Sequence, residues 1–496
     1  MKISYTPALN AQADALICPV LEDQKTLSSY DVNLRKYIKN LKEAKLFSGK
    51  SGEIETVTTG SKKLPKKIYF VGLGKKSKLE SNDVRDGIAG ATKKIMNKLN
   101  NKVAFYLVED LEKYVQEIVE GLMLVNYTPA KYKTGKDAKK AEENLFTGLQ
   151  FVGKSFPKAV KDKIENVSKM VESVNMVRDL VNGPPNIVTV EYFAKEAKKI
   201  AKQNKYSVTV LEKPALEKMG MGSFLSVNKG SGDQSAKLVV LDYNPEGLKK
   251  SDANEPILII GKGVIFDSGG YNLKPTKYIE DMQQDMAGGA VVLGVFKVLK
   301  DLGIKKRVVG MVPLTENLID SKAQKPSDIV TTYSGKTVEV RNTDAEGRMI
   351  LADALSYGIE KYKPKYTIDL ATLTGACLYA LGTDYAGVMG NDEKLKDDLI
   401  NAGKETDELL WELPLHKDYK KTIKGKLADL RNIDNGSNYL AGTSKAAAFL
   451  EEFVGKAKWA HLDIAGTAYV EKPRTFDQPM ATGYGVRLLV NYLQNL

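Results

Sequence analysis

The sequence predicts an α/β protein of two domains: a smaller N-terminal α/β domain over residues 1–157, a linking helix over 158–182, and a larger domain over 183–496 with a mostly parallel central sheet flanked by helices. Three observations predict it. A chain of 496 residues exceeds the size at which one hydrophobic core stops growing. Short apolar runs alternate with stretches of helical spacing, and repeated strand–helix units imply parallel strands joined by crossover helices. A polar, lysine-rich stretch at 132–143 then separates two such series.

In the N-terminal domain, residues 3–5 and 15–19 read as short strands, and 67–74 as a better one that ends in a glycine turn. Gly72 and Gly74 invite comparison with a phosphate loop. The comparison fails, because the segment lacks both the upstream glycine and the Ser/Thr that a Walker A loop needs at fixed positions. Residues 84–99 have helical spacing, 103–108 form a strand and 111–125 another amphipathic helix. The linking helix, 158–180 in its periodic part, is stopped by the two prolines of Asn182-Gly-Pro-Pro-Asn186. The larger domain then alternates: helix 190–203, strands 207–211, 238–243 and 257–261, helix 288–302, strand 307–313, helix 349–362 and strand 366–370. Internal repeats and low-complexity segments are absent from the sequence.

With 43% apolar and 27% charged residues the composition is that of an ordinary globular protein. No apolar run approaches the roughly 18 residues of a membrane span. The opening Met1-Lys-Ile-Ser-Tyr-Thr-Pro7 lacks the basic-then-apolar plan of a signal peptide, so a cytoplasmic, membrane-free protein is expected. Cys18 and Cys377 are too few for a disulfide framework and read as buried small residues. His416 and His461 are the whole histidine supply. A Ser-His-Asp triad must use one of them, and a histidine-rich zinc site is excluded. The net charge of +12 raises nucleic-acid binding, but the lysines are scattered and alternate with acids, and no nucleic-acid module accompanies them.

Two stretches carry chemistry. In Val340-Arg-Asn-Thr-Asp-Ala-Glu-Gly-Arg348, an extended backbone would point Asp344, Glu346 and Arg348 the same way. Gly347 leaves room for an unusual backbone angle or a close approach, and a helical pattern follows. The stretch 261–285, which begins after the apolar run Pro256-Ile-Leu-Ile-Ile260, offers Lys262, Asp267, Lys274 and Asp285. Phe266-Asp-Ser-Gly-Gly270 is rich in turn formers, so Asp267 is expected in a loop beyond the strand's carboxyl end, where open α/β sheets bind ligands. Four converging carboxylates (Asp267, Asp285, Asp344, Glu346) repel unless compensated. Two divalent cations would cancel four charges, and an oxygen-rich site suits Mg²⁺ or Mn²⁺ as well as Zn²⁺.

Gly261-Lys-Gly-Val-Ile-Phe-Asp-Ser-Gly-Gly270, Lys274-Pro275, Asp285-Met286 and Asn342-Thr-Asp-Ala-Glu-Gly-Arg348 resemble, in order and spacing, the leucine aminopeptidase (cytosol aminopeptidase) family of dinuclear metallopeptidases. Trp459-Ala-His-Leu-Asp-Ile-Ala-Gly-Thr467 resembles a further signature. The resemblance covers the chain from Asn175 onward. It implies a metal-dependent aminopeptidase, of the leucyl type, that releases N-terminal amino acids from peptides, leucine and other apolar residues favoured, and that assembles as a homo-hexamer.

The same resemblance implies the roles. Asp267 and Glu346 bridge two ions (Mn or Zn), Asp285 and Lys262 complete one, and Asp344 completes the other. Lys262 can donate only as the neutral amine, which two nearby dications favour. Lys274 stabilises the oxyanion. Arg348 resembles the arginine that holds a bicarbonate ion as proton shuttle, consistent with no free general base near the motif. Met282 and Met480 fall where the family places the side-chain pocket, with core methionines as the alternative reading. Thr372, Leu373 and Gly375 belong to a loop resembling the substrate-binding loop. Ile265 and Lys445 depart from the family pattern, and Lys445 puts substrate preference or packing there in doubt. Another two-metal hydrolase, such as a phosphoesterase, would use the same metal logic. A basic nucleic-acid-binding protein with a vestigial site is the alternative of a different class.

Overall fold

The computed structural model describes the chain except residues 8, 10–12, 25–26, 62, 97–101, 233–235, 437–439, 473–474 and 477–478. Two compact units emerge, Met1–Asn175 with Lys472–Pro479, and Met176–Glu471 with Met480–Leu496. The helix expected over 158–180 spans Lys158–Val181, and the division between units falls inside it. Both units are α/β.

The first unit holds a six-stranded sheet. Its order is Lys2–Thr6, Gly148–Val152, Lys102–Tyr106, Ala15–Val20, Lys67–Gly72 and Ile54–Thr58, parallel throughout except for the last pair. Ala15–Val20 is buried along its whole length, the burial expected of a central parallel strand. Two strands lie where the sequence reading placed none: Ile54–Thr58, a half-exposed edge strand, and Gly148–Val152. Part of the lysine-rich stretch is itself a helix, Gly135–Glu143, with no buried residue. The helix expected over 111–125 begins as a 3₁₀ segment, Glu109–Tyr114, before Val115–Met123 turns α-helical.

In the second unit the main sheet runs Leu410–Glu412, Ala386–Gly390, Trp459–Asp463, Tyr366–Ala371, Ile257–Gly261, Val308–Asn317, Lys237–Tyr243 and Ser207–Glu212. Its centre, from Trp459–Asp463 to Val308–Asn317, is parallel, and antiparallel pairs lie towards both edges. Ile257–Gly261 and Tyr366–Ala371 are buried at every position, which matches the unbroken apolar run of the first, while the second also buries Thr367 and Asp369. Helices Ala287–Val298 and Gly347–Tyr362 pack on Ile257–Gly261 and Val308–Asn317. The first approaches so closely that a Cβ on Gly288 would lie 2.2 Å from the Leu370 carbonyl oxygen. Among the described residues no helix is long and apolar enough to cross a membrane.

Two local expectations are corrected. Asp267 does not sit in a loop: it ends a short strand, Gly263–Asp267, that pairs with the far end of Val308–Asn317 and places Asp267 opposite Asn317. The turn formers Ser268, Gly269 and Gly270 act one residue later than expected. Nor do Asp344, Glu346 and Arg348 share a face of an extended segment. Glu346 already has helical angles (φ −77°, ψ −33°) and caps helix Gly347–Tyr362, so Arg348 belongs to its first turn.

Candidate metal centre

Strand ends build the site. Lys262 follows the central strand Ile257–Gly261, Asp267 ends its short neighbour, Asp285 lies in the 3₁₀ turn Met282–Met286 that leads into helix Ala287–Val298, and Asp344 and Glu346 immediately precede Gly347–Tyr362. Lys262, Asp267, Asp285 and Glu346 are buried. Carboxylate oxygens of Asp267, Asp344 and Glu346 all lie within 4.8 Å of one another. Asp285 joins this group through Lys262, whose Nζ is 2.8 Å from Asp285 Oδ1 and 2.7 Å from Glu346 Oε1. Lys274 bridges the other side, 2.9 Å from Asp267 Oδ2 and 2.6 Å from Asp344 Oδ1. All seven charged residues named from the two motifs lie in this region, with Arg348 among the residues that line the cavity beside Lys274 and Asp344.

Uncharged polar residues hold these groups in place. Asn317 Nδ2 donates to Asp267 Oδ1 (2.7 Å) and to the Thr343 carbonyl (3.0 Å), tying the two acidic segments together. Thr343 Oγ1 donates to the Gly269 carbonyl (2.6 Å) and accepts from Asn272 N (2.8 Å). The Thr372 carbonyl accepts from Lys262 Nζ (3.0 Å), and its hydroxyl donates to Asp285 Oδ1 (2.8 Å). Arg348 Nη1 donates to the Asn432 carbonyl (2.7 Å). Asn317 and Asn432 escaped the sequence reading, and Thr343 was given no role within its motif, because an uncharged residue signals a site only once the chain crossing beside it is known.

Two lysines face four carboxylates, so a buried negative excess remains. Burial and the Asp267 charge push Asp344 up to about 7, above the ordinary carboxylate range. Burial raises Asp285 too, against the pull of Lys262. Burial alone would lower Lys262, but Asp285, Glu346 and Asp267 together hold it above the ordinary lysine value. Among the described residues, Asp285 Oδ2 has no hydrogen bond, and Asp344 Oδ1 and Glu346 Oε1 meet their lysines without hydrogen-bonding geometry. Hard carboxylate oxygens left over in this way fit divalent cations.

A cavity of about 790 Å³ opens beside the centre, lined by Lys274, Asp344 and Arg348 and by apolar groups that include Leu373, Tyr379, Leu413, Ile433 and Leu440. Leu373 and Gly375 line it as well, whereas Thr372, Met282 and Met480 do not. Thr372 instead holds Lys262 and Asp285. Met282 opens the 3₁₀ turn that carries Asp285, and Met480 lies in a short strand pair with left-handed φ (84°). Ile265 is a buried strand residue, and Lys445 pairs with Asp434 at 2.6 Å. Neither histidine forms a triad among the described residues. His416 is exposed, and His461 is buried with Nδ1 2.6 Å from Asp369, which also accepts from Trp459 Nε1.

Comparison with known proteins gives the same picture over the whole chain. Residues 175–490 match the catalytic domain of the cytosol aminopeptidase family, and residues 19–136 match its N-terminal domain. A probable cytosol aminopeptidase of Geobacter sp. (strain M21) is 38% identical over 499 residues, covering 100% of this chain and 99% of the relative. Another, of Agrobacterium fabrum (strain C58 / ATCC 33970), is 42% identical over 448 residues, 89% of this chain and 88% of its own. The solved structure of the bottromycin maturation enzyme BotP in complex with Mn superposes with a TM-score of 0.83 at 27% identity, covering 97% of this chain and 99% of that one. By fold, motifs and full-length similarity, the chain belongs to the cytosol aminopeptidase family.

Proposed function

We propose that this metal-dependent aminopeptidase works with two divalent ions, Mn or Zn, and releases N-terminal leucine and other apolar residues from peptides. One observation carries the two-ion reading. Lys262 and Lys274 each bridge a carboxylate pair, Asp285/Glu346 and Asp267/Asp344, and the four acids still exceed the two ammoniums, which supports a site for two cations. Asp267, Asp285, Asp344 and Glu346 would hold the ions, with Lys262 joining as a neutral amine once like charge depresses its pKa. The Mn bound by BotP, a structural neighbour, agrees with that donor set. Bound ions would supply activated water and a polarised scissile carbonyl.

The remaining chemistry falls to the chain's own groups. Lys274, released from Asp267 and Asp344, would donate to the developing oxyanion. Arg348 stays cationic: burial lowers its pKa only to about 10, partly offset by Glu346 and Asp463. Its Nη1 is spent on Asn432, and its buried Nε has no hydrogen-bond partner among the described residues, so it can serve a bicarbonate ion acting as proton shuttle. Leu373 and Gly375 would orient the peptide, and the apolar cavity wall would exclude water. Met282 and Met480, which lie outside that cavity, are proposed for the pocket of the N-terminal side chain on the family resemblance alone, and a cytoplasmic homo-hexamer is the proposed assembly.

The test is to strip the metal and compare leucine amide with a phosphate monoester before and after Mn²⁺ or Zn²⁺ is restored. Metal-dependent amide hydrolysis is expected. Preferential turnover of the phosphate ester would favour a different two-metal hydrolase, and full activity without metal would defeat the reading.

A further inference from the structure

Asp463 ends the strand Trp459–Asp463, paired with Ala371 at the end of Tyr366–Ala371. It is 0% exposed. A carboxylate is costly to bury unless its oxygens are satisfied, and here they are satisfied largely by one turn. Oδ1 accepts from the backbone N–H of Leu373 (3.2 Å), Thr374 (3.4 Å) and Ala465 (3.2 Å), while Oδ2 accepts from the Thr374 hydroxyl (2.6 Å). The same hydroxyl lies 2.8 Å from that of Thr443, across the cavity wall.

The residue just before this turn is Thr372, whose carbonyl holds Lys262 and whose hydroxyl holds Asp285. Any shift of Leu373 and Thr374 is therefore passed by one peptide unit to two of the residues assigned to the metal centre. We propose that Asp463 is a positioning residue for that centre: it fixes the Leu373–Thr374 turn and, through Thr372, the placement of Lys262 and Asp285. The proposal rests on the two-ion reading above. An asparagine at 463 keeps the volume but removes the charge and replaces one acceptor oxygen with a donor, so the Thr374 hydroxyl must turn from Asp463 towards Thr443 and the turn loses its charge-assisted hydrogen bonds.

The test uses the full-length chain, stripped of metal and titrated with Mn²⁺ by calorimetry, with the melting temperature recorded. Asp463→Asn and Thr372→Val should each weaken Mn²⁺ binding about 10- to 100-fold, the range typical when a group supporting a metal ligand is removed. Because both act along one line, the double variant should bind no more weakly than the worse single. Thr374→Val should also weaken binding and Thr374→Ser should restore it, which keeps the test open if Asp463→Asn does not fold. Wild-type affinity in a folded Asp463→Asn, losses that multiply in the double variant, or a Thr374→Ser no better than Thr374→Val would overturn the positioning role. A wild type that binds no Mn²⁺ would overturn the two-ion reading itself, an outcome distinct from a metal-binding wild type beside an indifferent Asp463→Asn.

Discussion

Lys262 reaches to within 2.7 Å of Glu346 because the next residue, Gly347, has no side chain. A Cβ built there would lie 2.6 Å from Lys262 Cε and 2.7 Å from its Nζ. Gly347 starts a helix, where alanine is intrinsically favoured over glycine by about 1 kcal/mol, so the position is set by the lysine and not by the helix. Gly347→Ala should therefore leave helix content intact while displacing Lys262, lowering kcat/KM and metal affinity by about 10- to 100-fold. Kinetics beside bound-metal analysis checks it, and unchanged values of both would show that Lys262 moves aside without consequence.

Removal of an acidic group should act on the metal before it acts on the rate. Asp285→Ala and Glu346→Ala are expected to lose bound metal as well as turnover, since each removes an oxygen donor from a buried set. Their metal-free forms should be no less stable than the metal-free wild type, because a repelling charge has gone. Full metal content in both variants would mean that other residues are the ligands.

Stability of the metal-free protein should fall as pH rises. Asp344 titrates near 4 when unfolded and at about 7 when folded, so between those values the folded chain binds more protons and each step up in pH costs stability. Asp285 is shifted in the same direction. Added Mn²⁺, by cancelling the charge, should raise Tm more at pH 8 than at pH 5. A metal-induced shift in Tm that is equal at both pH values would contradict the uncompensated-acid account.

Arg348 differs from its neighbours in being unable to bind a cation. Arg348→Ala is expected to keep metal and fold while lowering kcat more than it raises KM, by about 10²- to 10⁴-fold if it holds the proton shuttle. Bicarbonate added to a carbonate-free assay should accelerate the wild type and much less the variant. An equal response in the two would remove Arg348 from this role.

The parts of the centre that were legible in the sequence lie within single segments. Lys262, Asp267, Lys274 and Asp285 share one stretch and Asp344, Glu346 and Arg348 another, and the resemblance of both stretches to one family's motifs joined them in a single site. What links the stretches was not legible. Asn317 meets Asp267 only through the register of two strands, Asn432 meets Arg348 from 84 residues away, and Asp463 meets Thr374 from 89. The shared face assigned to Asp344, Glu346 and Arg348 failed because a two-residue period holds only while the backbone is extended, and Glu346 has already entered the helix. Strand Ile54–Thr58 was missed for a related reason: an edge strand buries little, so its residues lack the apolar run that revealed Ile257–Gly261.

The two-ion centre can be tested by counting. Protein stripped of metal, reloaded with Mn²⁺ or Zn²⁺ and freed of unbound ion can be assayed for metal per chain alongside leucine amide hydrolysis. Two ions per chain are expected, with full activity only as the second is bound. Saturation of activity at one ion per chain, or hydrolysis by protein that holds none, would contradict it.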